Sequence, residues 1–290
     1  MQKPHVAIIG IGTMGAGMAG RLLAAGFPLT VFNRNSEKTL PFSQKGAWAA
    51  KSPREAASRA EVVISMVADD AASRQVWLGD NGALAGARSG SVLIESSTLT
   101  VGWVKELAAA AAQMGCDFLD APVTGTRPHA AAGELIFLIG GSTEVLEKVR
   151  PVLSVMSRDV VHLGPQGSGA MMKLINNFLC GVQAASFSEG LEMVEAAGLE
   201  QEKAVRILTE GAPGSGIVKR VASQLGVHGG DPNFTLRLMA KDLAYAVKEA
   251  SGKGIRLQTA ASALEIFKRA VEAGYGDEDF SAVTKAFKAN

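Results

Sequence analysis

The chain has 290 residues, 47% of them hydrophobic and 20% charged, a length that favours two domains over one compact core. Its 29 Lys and Arg against 28 Asp and Glu leave a net charge of +1. No field of one sign gathers nucleic acid or an anionic membrane onto its surface, so neither is expected as a partner.

At the start, Lys3, the apolar stretch Val6–Ile11 and the small residues from Ala16 to Gly20 imitate the zones of a secretory signal. The apolar run is short, is broken by Gly10 and Gly12, and leads directly into an amphipathic pattern, which argues against a secretory signal. Short apolar runs then recur at His5–Ile9, Leu29–Phe32, Val62–Val67, Val92–Glu95, Phe118–Val123, Glu134–Ile139 and Val160–Leu163. Helical patterns separate them at Thr13–Ala25, Pro53–Ala60, Ala71–Leu78, Val101–Met114 and Thr143–Met156. Met14, Met18, Leu22 and Ala25 show the three- and four-residue spacing of a helix face. Such alternation implies a mainly parallel sheet covered on both faces.

After Gly164-Pro165-Gln166-Gly167 the strand-like runs stop. Helices are expected from Gly167–Gly169 to Ala197 and over Gln201–Thr209, Gly216–Leu225, Thr235–Gly252 and Thr259–Ala273. The expected organisation is therefore an α/β domain over residues 1–164 and an all-helical domain over 165–290. No stretch reaches the roughly 18 consecutive apolar residues needed to span a bilayer. Cys116 and Cys180 lack C-x-x-C spacing, which suggests neither a disulfide framework nor a zinc site and fits a reducing, cytoplasmic setting.

Gly10-Ile11-Gly12-Thr13-Met14-Gly15 follows the first strand and opens a helix, which is the dinucleotide-binding pattern in its required context and makes the first domain Rossmann-like. Gly10 allows the tight turn, Gly12 lets a pyrophosphate approach the backbone, and Gly15 lets helix and strand pack closely. At the end of the second strand, where an Asp or Glu would hold the ribose 2′-hydroxyl of NAD, the chain reads Asn33-Arg34-Asn35. Arg34 suits a 2′-phosphate and predicts a preference for NADPH, with NAD still possible.

Four histidines are scattered: His5 and His162 in predicted strands, His129 and His228 in predicted loops. None has the neighbours of a triad or metal cluster. Lys173 and Asn177 lie four apart on one helix face, with Gly181 continuing that face. From spacing alone, Lys173 reads equally as a catalytic lysine or as one reaching out to water.

Taken with Ser97-Thr98, Asp120-Ala-Pro-Val-Thr-Gly125, Gly167-Ser-Gly169 and Lys241-Asp242-Leu243, these motifs in this order resemble the β-hydroxyacid dehydrogenases over almost the whole chain. That resemblance implies an oxidoreductase in which Lys173 is the catalytic acid and Asn177 orients substrate and lysine. It further implies that Val67, Ala68, Thr98 and Lys241 line the nicotinamide side, with Phe234 at its edge. Thr124, Gly125 and Thr126 match the loop that holds a substrate carboxylate, where many members carry Ser-Gly-Gly. Asn33-Arg34 resembles the NADP-preferring semialdehyde reductases, so the expected substrate is a small carboxylate such as glyoxylate or succinic semialdehyde. The Gly276–Ala282 segment also resembles the family's C-terminal pattern, and a homodimer or homotetramer is implied. A 3-hydroxyisobutyrate or other 3-hydroxyacid dehydrogenase is the alternative, and a cofactor-binding scaffold the non-enzymatic one. A sugar-acid phosphate decarboxylase is disfavoured by the short helical half, and an imine reductase by the presence of Lys173.

Overall fold

The computed structural model of the protein describes residues 3–226 and 231–287; His228 lies outside the described residues. The chain divides into two units, Met1–Lys173 and Leu174–Asn290.

In the first unit, β1 (Val6–Ile9), α1 (Thr13–Ala24), β2 (Leu29–Phe32), α2 (Leu40–Ser43), β3 (Trp48–Ala49), α3 (Pro53–Ser58), β4 (Val62–Ser65), α4 (Asp70–Leu78), β5 (Val92–Glu95), α5 (Val101–Gln113) and β6 (Asp117–Asp120) alternate along the chain. β7 (Val123–Thr124), α6 (Arg127–Ala132), β8 (Leu135–Gly140), α7 (Thr143–Ser154) and β9 (Ser157–Gly164) follow. The strands form one sheet in the order β3-β2-β1-β4-β5-β6-β8-β7, with β9 beside β8. Every pair from β3 to β6 is parallel, as is β8 with β9, while β8 runs antiparallel to β6 and β7. This is the expected α/β Rossmann-like domain with a mainly parallel sheet.

The period-2 geometry of the strands explains why their runs are apolar throughout. Val6 and Ile8 belong to the core on one face of the sheet, and Ala7 and Ile9 to the core on the other. The strand order reverses between β2-β1 and β4, leaving a switch point beside β1 where such sheets bind ligands.

Three local expectations are corrected. The run Phe118–Val123 is two strands, broken at Ala121-Pro122, because proline has no N–H for a ladder. The strand β3 and the helix α6 were not expected; two and six residues are too short to show a period. His129, expected in a loop, is the third residue of α6.

The second unit is helical. α8 (Ser168–Ala196) carries the chain into it from the first unit, followed by α9 (Gln201–Glu210), α10 (Gly216–Ser223), α11 (Leu236–Ser251) and α12 (Gln258–Ala270). α10 and α11 are capped by the Ser215 and Thr235 side chains. Phe187, Val221, Leu236, Met239, Leu243, Phe267, Phe280 and Val283 build the core of this unit. No described helix is long and apolar enough to cross a membrane.

Candidate active site

The turn after β1 is built by what its glycines leave out. Gly10 has φ +101°, and a Cβ there would lie 2.2 Å from the Met66 carbonyl oxygen. One on Gly15 would lie 1.9 Å from the Gly10 oxygen, so both positions are filled by neighbouring backbone. At Gly12 the same construction meets nothing within 4 Å. Gly12 is also the N-cap of α1, which has neither a side-chain cap nor an acidic residue in its first turn. By contrast, Ser52, Asp69, Thr100 and Ser142 cap α3, α4, α5 and α7. Unpaired N–H groups, the positive end of the helix dipole and open space converge at Gly12-Thr13, which suits a phosphate. Ile11 is buried, Thr13 is exposed, and Met14 packs on the core.

Asn33 braces this turn. Its Oδ1 accepts the Ile11 N–H at 3.0 Å and its Nδ2 donates to the Asn35 carbonyl at 2.9 Å. Asn35 in turn accepts the Glu37 N–H at 3.0 Å. Arg34 stands exposed between them, and among the described residues no ion pair includes it.

The loops after β4 and β5 are tied together. Ser97 Oγ accepts the Val67 N–H at 2.8 Å, which sets Val67 and Ala68 beside the segment carrying Thr98. A second tie joins Thr100 to Asp70, which accepts its N–H at 2.9 Å and its hydroxyl at 2.6 Å.

The start of α8 is held from β6. Asp120 Oδ1 accepts the Gly167 N–H at 2.8 Å, and Oδ2 accepts the Ala170 N–H at 2.8 Å. Burial pushes the Asp120 carboxyl up from its ordinary range, against the pull of these backbone donors. A Cβ on Gly169 would lie 2.1 Å from the Leu138 oxygen, and one on Gly140 would lie 2.3 Å from Asp120 Oδ1. The carboxylate therefore occupies a cradle that only glycines leave room for. Lys173, half-buried, follows on the second turn of the helix anchored this way. In the loop after β6, Thr124 pairs with Ile136 of β8. Thr126 donates its backbone N–H to His129 Nδ1 at 3.2 Å, with its hydroxyl 2.7 Å from the same nitrogen. The Thr126 amide is thus engaged in capping α6.

In the second unit a buried carboxylate gathers two further candidates. Asn177 Nδ2 donates to Asp242 Oδ2 at 2.5 Å, and its Oδ1 accepts from Asn176 Nδ2 at 2.9 Å. Lys241 Nζ lies 3.0 Å from Asp242 Oδ1. Asp242 is fully buried, so it orients the Asn177 amide and the Lys241 ammonium together. Phe234 packs edge-on against Phe280 with centroids 6.2 Å apart. His5, half-buried just before β1, bonds Thr30 Oγ1 at 2.9 Å, and His162, exposed on β9, bonds the Gly141 carbonyl at 2.8 Å.

Comparison with known proteins gives this arrangement a family. A model for the NAD-binding domain of 6-phosphogluconate dehydrogenase matches residues 5–164, and one for the NAD-binding domain of NADP-dependent 3-hydroxyisobutyrate dehydrogenase matches residues 167–287. The chain is 35% identical to an NAD-dependent L-serine dehydrogenase of Pseudomonas aeruginosa, over 98% of this chain and 97% of the relative. The chain belongs to the β-hydroxyacid dehydrogenase family. It is also 34% identical to the chloroplastic glyoxylate/succinic semialdehyde reductase 2 of Arabidopsis thaliana, over 98% of this chain and 79% of that one. Its fold matches Mycobacterium tuberculosis 3-hydroxyisobutyrate dehydrogenase with L-serine at a TM-score of 0.87 and 30% identity, covering 99% and 100% of the two chains. Membership makes this β-hydroxyacid dehydrogenase a nicotinamide-dependent oxidoreductase acting on CH–OH groups of small molecules.

Three buried carboxylates, Glu95, Asp120 and Asp242, hold respectively the loop after β5, the start of α8, and the Asn177 and Lys241 side chains, yet none was given a role from sequence. The available signal was an ionisable residue within or beside an apolar run, a costly placement without partners.

Proposed function

We propose that the chain reduces a short aldehyde acid, of the glyoxylate or succinic semialdehyde kind, to its hydroxy acid with NADPH, and that Lys173 is the general acid. The observation that carries this reading is the uncapped, unobstructed start of α1 at Gly12, with Arg34 rather than a carboxylate closing β2. The pyrophosphate belongs on the Gly12-Thr13-Met14 amides and the 2′-phosphate beside Arg34, where charge-assisted bonds are worth about 1.5–3 kcal/mol.

The nicotinamide, when bound, supplies hydride to the carbonyl carbon. Val67, Ala68 and Thr98 are the residues of the first unit proposed for its side of the site, and the family resemblance assigns Lys241 to the same side and Phe234 to its edge. Lys173 donates a hydrogen bond to the carbonyl oxygen, stabilises the alkoxide as it forms and passes it a proton, which leaves the hydroxy acid and a neutral amine that solvent reprotonates. General acid catalysis of this kind is worth about 10²–10⁴-fold. Asn177, held by Asp242 and Asn176, orients substrate and lysine. Thr124 and Gly125 receive the substrate carboxylate, while Thr126, whose amide His129 occupies, holds the loop in shape.

A second reading is NAD-linked oxidation of a 3-hydroxy acid such as L-serine or 3-hydroxyisobutyrate, in which the neutral amine of Lys173 accepts the hydroxyl proton. The L-serine dehydrogenase relative and the L-serine complex of the structural neighbour favour it. Initial rates separate the two: NADPH and NADH oxidation with glyoxylate, succinic semialdehyde, methylmalonate semialdehyde and tartronate semialdehyde, and NAD⁺ or NADP⁺ reduction with L-serine and 3-hydroxyisobutyrate. Fastest turnover of an aldehyde acid with NADPH supports the first reading; turnover confined to the hydroxy acids with NAD⁺ replaces it with the second.

A further inference from the structure

Glu95 closes β5 with 1% of its surface exposed. Its Oε2 receives the Ser73 hydroxyl at 2.6 Å and the Trp77 indole N–H at 2.8 Å, and its Oε1 receives the Ser97 N–H at 2.9 Å. Trp103 Nε1 donates to Ser73 Oγ at 2.9 Å, which leaves the Ser73 proton to point at the carboxylate. The indole and amide nitrogens only donate and the Ser73 proton points at the carboxylate, so these three contacts suit an anion, to which the neighbouring Ser97 hydroxyl can donate as well. Burial pushes the carboxyl up and the surrounding donors pull it back. Among the described residues, no Lys, Arg or His pairs with it. An anion solvated by dipoles alone is a costly way to tie two loops together.

Its location gives that cost a use. Ser97, which Glu95 holds, returns its hydroxyl oxygen to the Val67 N–H at 2.8 Å. A dinucleotide lies across the switch point of such a sheet with one mononucleotide half on each side. The glycine-rich turn and Arg34 belong to the β1–β2 half, so the loops after β4 and β5 serve the nicotinamide. The oxidised nicotinamide ring carries a positive charge and the reduced ring does not. A fixed anion behind its shelf therefore attracts one redox form only, through a medium far less screening than water. Asp69, the last residue of the loop after β4, and Asp70, the first of α4, are half-buried, where solvent screens them more.

We infer that Glu95 is a positioning residue that holds the nicotinamide loops and, by its charge, favours the oxidised over the reduced cofactor. The inference rests on the cofactor placement proposed above. It is tested by measuring the dissociation constants of NADP⁺ and NADPH, by titration calorimetry or fluorescence, for the wild type, Glu95→Gln and Glu95→Asp. In Glu95→Gln the ratio of the NADP⁺ constant to the NADPH constant rises about three- to tenfold, the size of a screened charge interaction. In Glu95→Asp, which keeps the charge, the ratio stays at the wild-type value even if both affinities fall. A loss of loop structure alone would weaken both forms equally, so an unchanged ratio in folded Glu95→Gln overturns the inference and leaves the cofactor reading standing. Wild-type protein that binds neither form sinks the cofactor reading itself. Should Glu95→Gln not fold, Glu95→Asn is the second neutral variant and is judged by the same ratio.

Discussion

The helices α1 and α8 both begin at glycine-rich turns, but their N-termini are finished in opposite ways. At α8 the orphan amides of Gly167 and Ala170 are taken by a carboxylate the protein owns, Asp120, seated in a cradle cleared by Gly140 and Gly169. At α1 no side chain caps the helix, and the space at Gly12 is open. The same physics, backbone N–H groups with a favourable dipole, locks one helix into the sheet and prepares the other for an anion from outside. The first arrangement anchors the helix that carries Lys173, and the second is the place proposed for the cofactor pyrophosphate.

Replacing Asp120 by Ala strikes the locked end and has the largest expected effect on stability. It leaves two buried amides without acceptors at about 1–3 kcal/mol each, and a denaturant melt reads the loss. Glycine substitutions in the α1 turn separate packing from binding. Gly15→Ala drives a Cβ into the Gly10 carbonyl and costs about 1–3 kcal/mol, whereas Gly12→Ala leaves the melt near wild type and weakens NADPH binding. A Gly12→Ala protein that binds NADPH normally would remove the pyrophosphate from that turn.

Much of this contrast was readable beforehand, and the unread part has a common cause. The strands β1, β2 and β5 and the glycine pattern are local, because each run's period and flanking turn specify it without knowledge of the rest. Lys173 and Asn177 were legible as a pair for the same reason. Their supports were not: Asp120 meets Gly167 from 47 residues away and Asp242 meets Asn177 from 65. A carboxylate in an apolar run announces that a partner exists, but only the fold names it.

Two smaller effects sharpen the comparison. Arg34→Asp places a carboxylate where a 2′-phosphate is expected and lowers NADPH affinity about 10- to 150-fold while sparing NADH; equal loss for both cofactors would take Arg34 out of the site. His5, beside Thr30, has its pKa lowered from 6.5, chiefly by burial. A depressed histidine contributes stability that is present above pH 6.5 and lost as pH falls through its folded value. His5→Gln therefore flattens the acid limb of the melting temperature slightly, and an unaltered acid limb would contradict that sign.

The proposed reaction rests most directly on Lys173→Ala, assayed for turnover with the preferred aldehyde acid and for NADPH affinity on the same preparation. The expected result is a fall in kcat of about 10²–10⁴-fold with NADPH affinity near wild type. Turnover close to wild type would contradict the assignment of Lys173 as the general acid.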